Sequence, residues 1–146
     1  MIKKPVVLFL CTGNSCRSQM AEGWLRTLHG GLVEARSAGI VAHGLNPYAV
    51  QVMADAGVDI TGQASECLDA HNLDEIELVV SVCGNARESC PVLPREVLTL
   101  HVPFDDPPAL AREAADDEAA LACYRRVRDE IRKFVAMTDF ARVCAG

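Results

Sequence analysis

Residues 6–18 decide the fold, and they read Val6-Val7-Leu8-Phe9-Leu10-Cys11-Thr12-Gly13-Asn14-Ser15-Cys16-Arg17-Ser18. The first five are all apolar, which is typical of a strand buried on both faces of a parallel sheet. From Ser18 to His29, apolar residues recur at the spacing of an amphipathic helix. A buried strand, a short polar loop and a helix in direct succession predict the first unit of an α/β fold.

The rest of the chain continues this alternation of strands and helices. The patterns predict strands over 33–38, 77–82 and 97–101, and helices over 46–56 and 117–136, with a loop at 103–108. Such alternation implies right-handed crossovers and a parallel sheet with helices on both faces, so the fold class is α/β. We expect a single domain over 1–146, with a loose tail from about 137 to 146.

The charge and hydropathy of the chain exclude several function classes. Of its 146 residues 50% are hydrophobic and 23% are charged, and the formal net charge is −6. Without a basic cluster, this charge argues against binding to nucleic acid or to an anionic membrane. The apolar run at 6–10 is too short for a transmembrane helix and lacks a secretory cleavage region. We therefore expect a cytoplasmic protein.

The seven cysteines suit a reducing compartment, where such residues are more often catalytic, redox-active or buried than bridged. Their odd number leaves no complete pairing. Zinc is disfavoured, because there is no Cys-x-x-Cys pair and the four histidines lack ligand-like spacing. These residues are Cys11, Cys16, Cys67, Cys83, Cys90, Cys123 and Cys144, with His29, His43, His71 and His101.

The loop between the first strand and the first helix has the pattern of an oxyanion site. Cys11 and Arg17 are separated by five residues, so they can curl around one tetrahedral anion. Backbone N–H groups and the helix dipole face the anion, and Arg17 adds a planar fork of donors. The same donors stabilise the Cys11 thiolate as a nucleophile. The predicted substrate-binding residues are Thr12, Gly13, Asn14, Ser15, Cys16, Arg17 and Ser18.

The roles of both cysteines in this loop have an alternative explanation. Cys-x5-Arg alone occurs by chance, and Cys11 could be a structural cysteine beside an unrelated arginine. The position between a buried strand and an amphipathic helix favours the oxyanion site. Cys16, one residue before Arg17, is explained slightly better by packing than by chemistry.

The run from Cys11 to Trp24 resembles the low-molecular-weight tyrosine phosphatase superfamily, and within it the thioredoxin-coupled arsenate reductase branch. Further similarities are Ser37-Ala38-Gly39-Ile40, His43-Gly44, Asn46-Pro47 and the run 126–131. The resemblance covers residues 6–134. It implies a phosphatase-like fold, arsenate as substrate with phosphate or sulfate as analogues, and electrons from thioredoxin.

Cys83 and Cys90 separate a reductase from a phosphatase. A phosphatase needs one thiolate, one acid and water, whereas a reductase must also pass two electrons to its substrate through further thiols. The resemblance implies that Cys83 and Cys90 are these resolving cysteines. Seven residues apart, they can bridge only if the segment between them rearranges during turnover, because intact helix would hold them too far apart.

An acid and a cation site complete the implied chemistry. Oxyanion transfer needs a proton donor for the departing oxygen. The resemblance implies the aspartate before proline, Asp106, with Asp105 as the fallback; an ordinary acidic turn is the alternative. Some members of the branch bind potassium, through residues that match Asn14, Glu22, Ser37 and Glu66, although the fourth is usually an aspartate. The resemblance also places Ser18 as a hydrogen-bond partner of the Cys11 thiolate.

The resulting expectation is reduction of arsenate by a Cys11, Cys83 and Cys90 relay in a monomer with no tightly bound cofactor. A low-molecular-weight phosphatase using Cys11, Arg17 and Asp106 is the first alternative. A metalloid sensor is the second, but no DNA-binding element supports it. Glutathione or mycothiol in place of thioredoxin is a variant, which the internal cysteine pair disfavours.

Overall fold

The computed structural model describes residues 3–82 and 97–145, and within them four parallel strands form one sheet in the order β2-β1-β3-β4. Each β1 residue pairs with one of β2, from Val6 with Glu34 to Cys11 with Gly39. A register irregularity follows the first pair of β1 with β3. The strands are β1 Val6–Cys11, β2 Glu34–Gly39, β3 Ile76–Ser81 and β4 Thr99–His101.

Five α-helices connect or follow these strands in the described part of the chain. Asn46 caps α2, because its side chain accepts hydrogen bonds from the backbone N–H groups of Tyr48 and Ala49 at 2.8 and 3.2 Å. Asp116 caps α4 in the same way. The helices are α1 Arg17–His29, α2 Pro47–Asp55, α3 Pro107–Ala111, α4 Asp117–Met137 and α5 Phe140–Ala145. No helix among the described residues is long and apolar enough to cross a membrane.

The core lies on both sides of the sheet, because successive residues of a strand point to opposite faces. Val7, Phe9 and Cys11 of β1 pack with buried residues of α1, α2 and α4 on one face. Val6, Leu8 and Leu10 face the other side, which is covered by apolar residues of two short 3-10 turns, Leu68–Ala70 and Leu73–Glu75, and by Val97. The α/β fold and the parallel sheet are as the sequence predicts.

Two expectations about irregular segments are wrong. Residues 140–145 are not part of a loose tail: they form α5, and Phe140 is buried with its ring 6.3 Å from that of Phe9 and 5.9 Å from that of Phe134. The loop expected at 103–108 ends early, since α3 begins at Pro107. Proline fits the first turn of a helix, where its missing N–H has no intrahelical partner.

The carboxyl ends of the strands share one edge of the sheet and bring the polar loops together. Cys11 ends β1 opposite Gly39, the last residue of β2. A Cβ on Gly39 would lie 2.7 Å from the backbone nitrogen of Asn14 and 2.5 Å from the carbonyl oxygen of Val41. Only glycine lets the loop after β1 pack this closely against β2.

Candidate active site

The loop 12–16 borders a cavity, and its carbonyl groups are bonded to other segments. The carbonyl oxygens of Thr12, Gly13 and Ser15 accept hydrogen bonds from the backbone of the segment after β2 at 2.9–3.1 Å. That of Asn14 accepts from the side chains of Gln19 and Ser65 at 3.0 and 2.8 Å. With these carbonyl groups engaged, the loop is suited to turn N–H groups toward an anion, as anion-binding loops do.

Asn14 holds the loop in shape. It has a positive φ of 47° and no exposed surface, a conformation that asparagine tolerates better than most residues. Its side-chain oxygen accepts a hydrogen bond from the backbone N–H of Glu66 at 2.7 Å, and its side-chain nitrogen donates to Ser18 Oγ at 2.9 Å. Every polar part of the side chain thus ties the loop to another element.

Cys11 is the residue at which the loop begins, and it is 3% exposed. Its Sγ lies 2.8 Å from Ser18 Oγ, within α1. Because Ser18 Oγ already accepts a hydrogen bond from Asn14, its own hydrogen is free to be donated to the sulfur. This arrangement stabilises a thiolate at Cys11.

Cys16 is the other cysteine of the loop and is also buried. Burial, with the negative charges at Asp106 and Cys11, raises the pKa of its thiol well above the ordinary range. Cys16 is therefore a protonated thiol at neutral pH and a poor nucleophile.

Arg17 links the loop to the ends of two other strands. It is the first residue of α1 and is 5% exposed. Its Nη1 donates to the carbonyl oxygen of Phe104 at 3.0 Å and of Val82 at 3.4 Å. Its Nη2 lies 3.7 Å from Asp106 Oδ1. The guanidinium is thus fixed in orientation at the edge of the cavity.

The two aspartates after β4 have different surroundings. Asp106, at the start of α3, is 30% exposed and lines the cavity beside Arg17. Asp105 is 60% exposed and forms a 2.9 Å ion pair with Arg126 of α4. The predicted acid is Asp106 with Asp105 as the fallback, and of the two only Asp106 lines the cavity.

The cavity has a volume of about 460 Å³, and its walls combine charged, polar and apolar groups. No phenylalanine, tyrosine or tryptophan is among its lining residues in the described part of the chain. They are Cys11, Thr12, Gly13, Ser15, Cys16, Arg17, His43, Asn46, Asp106, Pro108 and Arg112. An opening of this kind suits a small charged oxyanion better than an aromatic ester, which gains from stacking.

Sequence reasoning missed four of these wall residues: His43, Asn46, Pro108 and Arg112. The imidazole of His43 packs on Gly13, where a Cβ would come within 2.4 Å of its Cδ2. Asn46 caps α2 and also donates to Tyr124 Oη on α4 at 3.1 Å. Burial raises the pKa of Tyr124 to about 12. In the sequence, His43 and Asn46 are marked only as part of the family resemblance, and Pro108 and Arg112 only by their nearness to Asp106.

The four residues of the expected potassium site lie close together. Ser37 Oγ of β2 donates to Glu22 Oε1 of α1 at 2.6 Å, and Glu66 donates its N–H to Asn14. Burial raises the pKa of Glu22, the Ser37 hydrogen bond opposes this rise, and the charge of Glu66 adds to it. The Glu66 carboxylate lies 3.7 Å from His71 Nε2. In the described ranges, no three His, Cys, Asp or Glu side chains are grouped to hold a metal ion.

The remaining cysteines divide into two sets. Cys83 and Cys90 lie outside the described residues; the chain is described up to Val82, whose carbonyl accepts from Arg17. Cys67, Cys123 and Cys144 are free thiols, partly buried, and none lines the cavity.

The family of the chain follows from comparison with known proteins. A family model described as low molecular weight phosphotyrosine protein phosphatase matches residues 6–138. The chain belongs to this family. One relative is "Arsenate reductase" of Bacillus subtilis strain 168. It is 48% identical to this chain over 130 residues, which are 89% of this chain and 91% of the relative.

Solved structures of the family agree in shape. One is "arsenate reductase from Archaeoglobus fulgidus", with a TM-score of 0.72 and 29% identity over 96% of this chain and 99% of that one. Another is "An arsenate reductase in the phosphate binding state", with a TM-score of 0.69 and 29% identity over 97% of both chains.

Proposed function

We propose that this chain reduces arsenate to arsenite. The observation that supports this most is the cavity beside the loop 12–16, where Cys11, Arg17 and Asp106 meet and the described lining residues include no phenylalanine, tyrosine or tryptophan. Relatives of this family with about half of their residues identical are named arsenate reductases. A solved relative has a phosphate-binding state, and phosphate has the shape and charge of arsenate.

The first step joins Cys11 to arsenic. The loop amides and Arg17 bind the arsenate oxygens, and the Cys11 thiolate attacks arsenic to form a sulfur–arsenic bond. One arsenic–oxygen bond breaks, and Asp106 gives its proton to the oxygen, which leaves as water. Arsenic is still pentavalent in this adduct, so no electrons have yet been transferred.

The second step transfers two electrons. The Cys83 thiolate attacks Cys11 Sγ, forming a disulfide, while the electron pair of the sulfur–arsenic bond passes to arsenic and arsenite leaves. The Cys90 thiolate then attacks Cys83 Sγ, which frees the Cys11 thiolate and forms a Cys83–Cys90 disulfide. Thioredoxin, a dithiol, reduces that disulfide and becomes oxidised. Val82 accepts a hydrogen bond from Arg17, and Cys83 is the next residue in the sequence.

The cellular setting follows from the same chemistry. Free thiols at Cys11 and at the relay pair require a reducing compartment, so we place the enzyme in the cytoplasm. The relay is contained in one chain, so a monomer is sufficient.

The residues beneath the loop also suit a potassium ion. Asn14, Glu22, Ser37 and Glu66 offer carbonyl, carboxylate and hydroxyl oxygens, which are the ligands of hard cations. The partly buried Glu22 carboxylate, with Glu66 near it, leaves negative charge for a cation to offset. When bound, the ion would lower the cost of charge beneath the loop. Asn14 would connect the ion to the nucleophile, because its side chain donates to Ser18 Oγ, which contacts Cys11 Sγ.

The relay is tested by arsenate turnover with thioredoxin, thioredoxin reductase and NADPH. We expect Cys83→Ser and Cys90→Ser to lose steady-state turnover, and Cys123→Ser, the matched control, to keep it. In a single turnover, Cys90→Ser should release one arsenite per chain and Cys83→Ser none. Full turnover by both relay variants would exclude the relay.

The phosphatase alternative is tested on the same variants. Hydrolysis of a phosphate monoester needs Cys11, Arg17 and Asp106 but no resolving thiol, so any weak activity should survive in Cys83→Ser and Cys90→Ser. This activity also shows that the variants are folded. A phosphatase without arsenate reduction in the wild type would favour the alternative.

A further inference from the structure

Arg112 is a cation at the rim of the cavity that the proposed reaction does not use. It follows the last residue of α3, the helix that begins directly after Asp106, and its side chain is exposed. It is nevertheless one of the residues that line the cavity. Its guanidinium forms no ion pair with any other residue in the ranges 3–82 and 97–145, in contrast to Arg17, which contacts Asp106.

The electrostatic setting makes this position consequential. The chain has a formal net charge of −6, so an oxyanion approaching it meets a repulsive field on average. Asp106 adds a carboxylate inside the cavity, and Arg17 is buried and fixed behind it. A positive group at the rim is reached before either of them, and solvent screens it less from an incoming ion than it screens distant charges.

We propose that Arg112 recruits the anionic substrate to the cavity and raises the rate of its capture, with no part in the chemical step. This rests on the proposed function for the identity of the substrate. Arsenate is an anion at neutral pH, whereas arsenite is an uncharged acid. Arg112 therefore attracts the substrate electrostatically but does not attract the uncharged product. Faster binding of arsenate then has no cost in slower release of arsenite.

The test uses Cys11 itself as the reporter, so that it does not depend on arsenate reduction. Iodoacetate, an anion, and iodoacetamide, its neutral analogue, alkylate the same thiolate. The rate at Cys11 is measured for each by mass spectrometry of the peptide, at low and high ionic strength. The variants are Arg112→Gln, Arg112→Lys and, as matched control, Arg142→Gln.

Arg142 is a suitable control because it is also exposed and its loss changes the net charge equally, but it lies on α5, which contributes nothing to the cavity in the described part of the chain. We expect Arg112→Gln to lower the ratio of the iodoacetate to the iodoacetamide rate by about three- to tenfold at low salt. The difference should disappear at high salt. Arg112→Lys and Arg142→Gln should keep the wild-type ratio.

Equal ratios in wild type and Arg112→Gln at low salt would overturn the proposal, as would an equal fall in Arg142→Gln. If the enzyme assay succeeds, Arg112→Gln should lower kcat/KM for arsenate by a similar factor and leave kcat unchanged. A fall in kcat alone would instead assign Arg112 to the chemical step. If arsenate is not reduced but the alkylation ratio falls as expected, the proposed function fails while recruitment of anions by Arg112 stands.

Discussion

At the scale of the residue, the site depends on which polar atoms are already engaged. Ser18 Oγ can donate to Cys11 because Asn14 donates to it. Arg17 is oriented by two backbone carbonyls and is held at the wall of the cavity. In each case, hydrogen bonds to neighbouring groups fix the orientation of a side chain that the reaction uses.

The two neighbouring aspartates offer a matched comparison of position. Asp106→Asn should lower kcat for arsenate by about a hundredfold, because general acid catalysis supplies at least that factor. Asp105→Asn removes only an exposed ion pair with Arg126 and should change kcat by less than about twofold. Steady-state turnover measures both, and equal losses in the two variants would contradict the assignment of Asp106.

At the scale of the element, the loop depends on the strand beside it. β1 and β2 end together, and Gly39 lets the loop after Cys11 lie against the end of β2. The segment after β2 then provides N–H groups that bind the loop carbonyls. The anion-binding loop is therefore shaped as much by β2 and its continuation as by its own residues.

Gly39→Ala tests this dependence. Its Cβ would meet backbone atoms, which cannot move aside as a side chain can, so we expect a loss of about 1–3 kcal/mol in the free energy of unfolding and weaker phosphate binding. Gly31→Ala is the control, because nothing lies within 4 Å of its added Cβ. Urea unfolding and calorimetry with inorganic phosphate measure the two effects. Unchanged phosphate affinity in a folded Gly39→Ala would show that the contact does not shape the loop.

The sequence predicts well those features that local pattern determines. The buried β1, the amphipathic α1 and the Cys11 to Arg17 spacing are contiguous, so one stretch reveals all three. The prediction of Asp106 as the acid depended on the family resemblance, because an Asp-Pro pair alone is also typical of an ordinary turn.

What the sequence did not predict arises from contacts between distant segments. His43 and Arg112 become wall residues only when the segment after β2 and the end of α3 meet the loop. Phe140 looked like part of a tail because a six-residue helix has too few turns for a periodic pattern. It is ordered by burial against Phe9 and Phe134, which lie far away in the chain.

At the scale of the whole molecule, the partly buried carboxylate of Glu22 makes stability depend on pH. Burial raises the pKa of Glu22, so the folded state binds a proton at Glu22 more readily than the unfolded state does. The contribution of this proton to the free energy of unfolding is fully present below the ordinary pKa of a glutamate. It is lost as the pH rises through the raised pKa of Glu22 in the folded state. The ionised group at neutral pH therefore works against folding.

Glu22→Gln should remove this dependence. We expect the variant to unfold at higher urea than the wild type near pH 7 and at about the same urea near pH 4, because glutamine resembles the protonated acid. Ser37 can still donate to the amide oxygen, and the exposed Arg26 pair that is lost contributes little.

Potassium supplies the second half of this test. In place of sodium at equal ionic strength, it should raise the stability of the wild type and leave that of Glu22→Gln unchanged, since a bound ligand stabilises only the state that binds it. An equal response of the two proteins to potassium would exclude Glu22 as a ligand.

The contact between Gly13 and His43 has a consequence for the divergence of this family. A side chain at position 13 would displace the imidazole of His43 from its present place, since even a methyl group would lie 2.4 Å from the ring. The two positions, thirty residues apart, are thus coupled. Homologues that replace Gly13 should also have a smaller residue at the position of His43, and an alignment of the family can reveal that covariation.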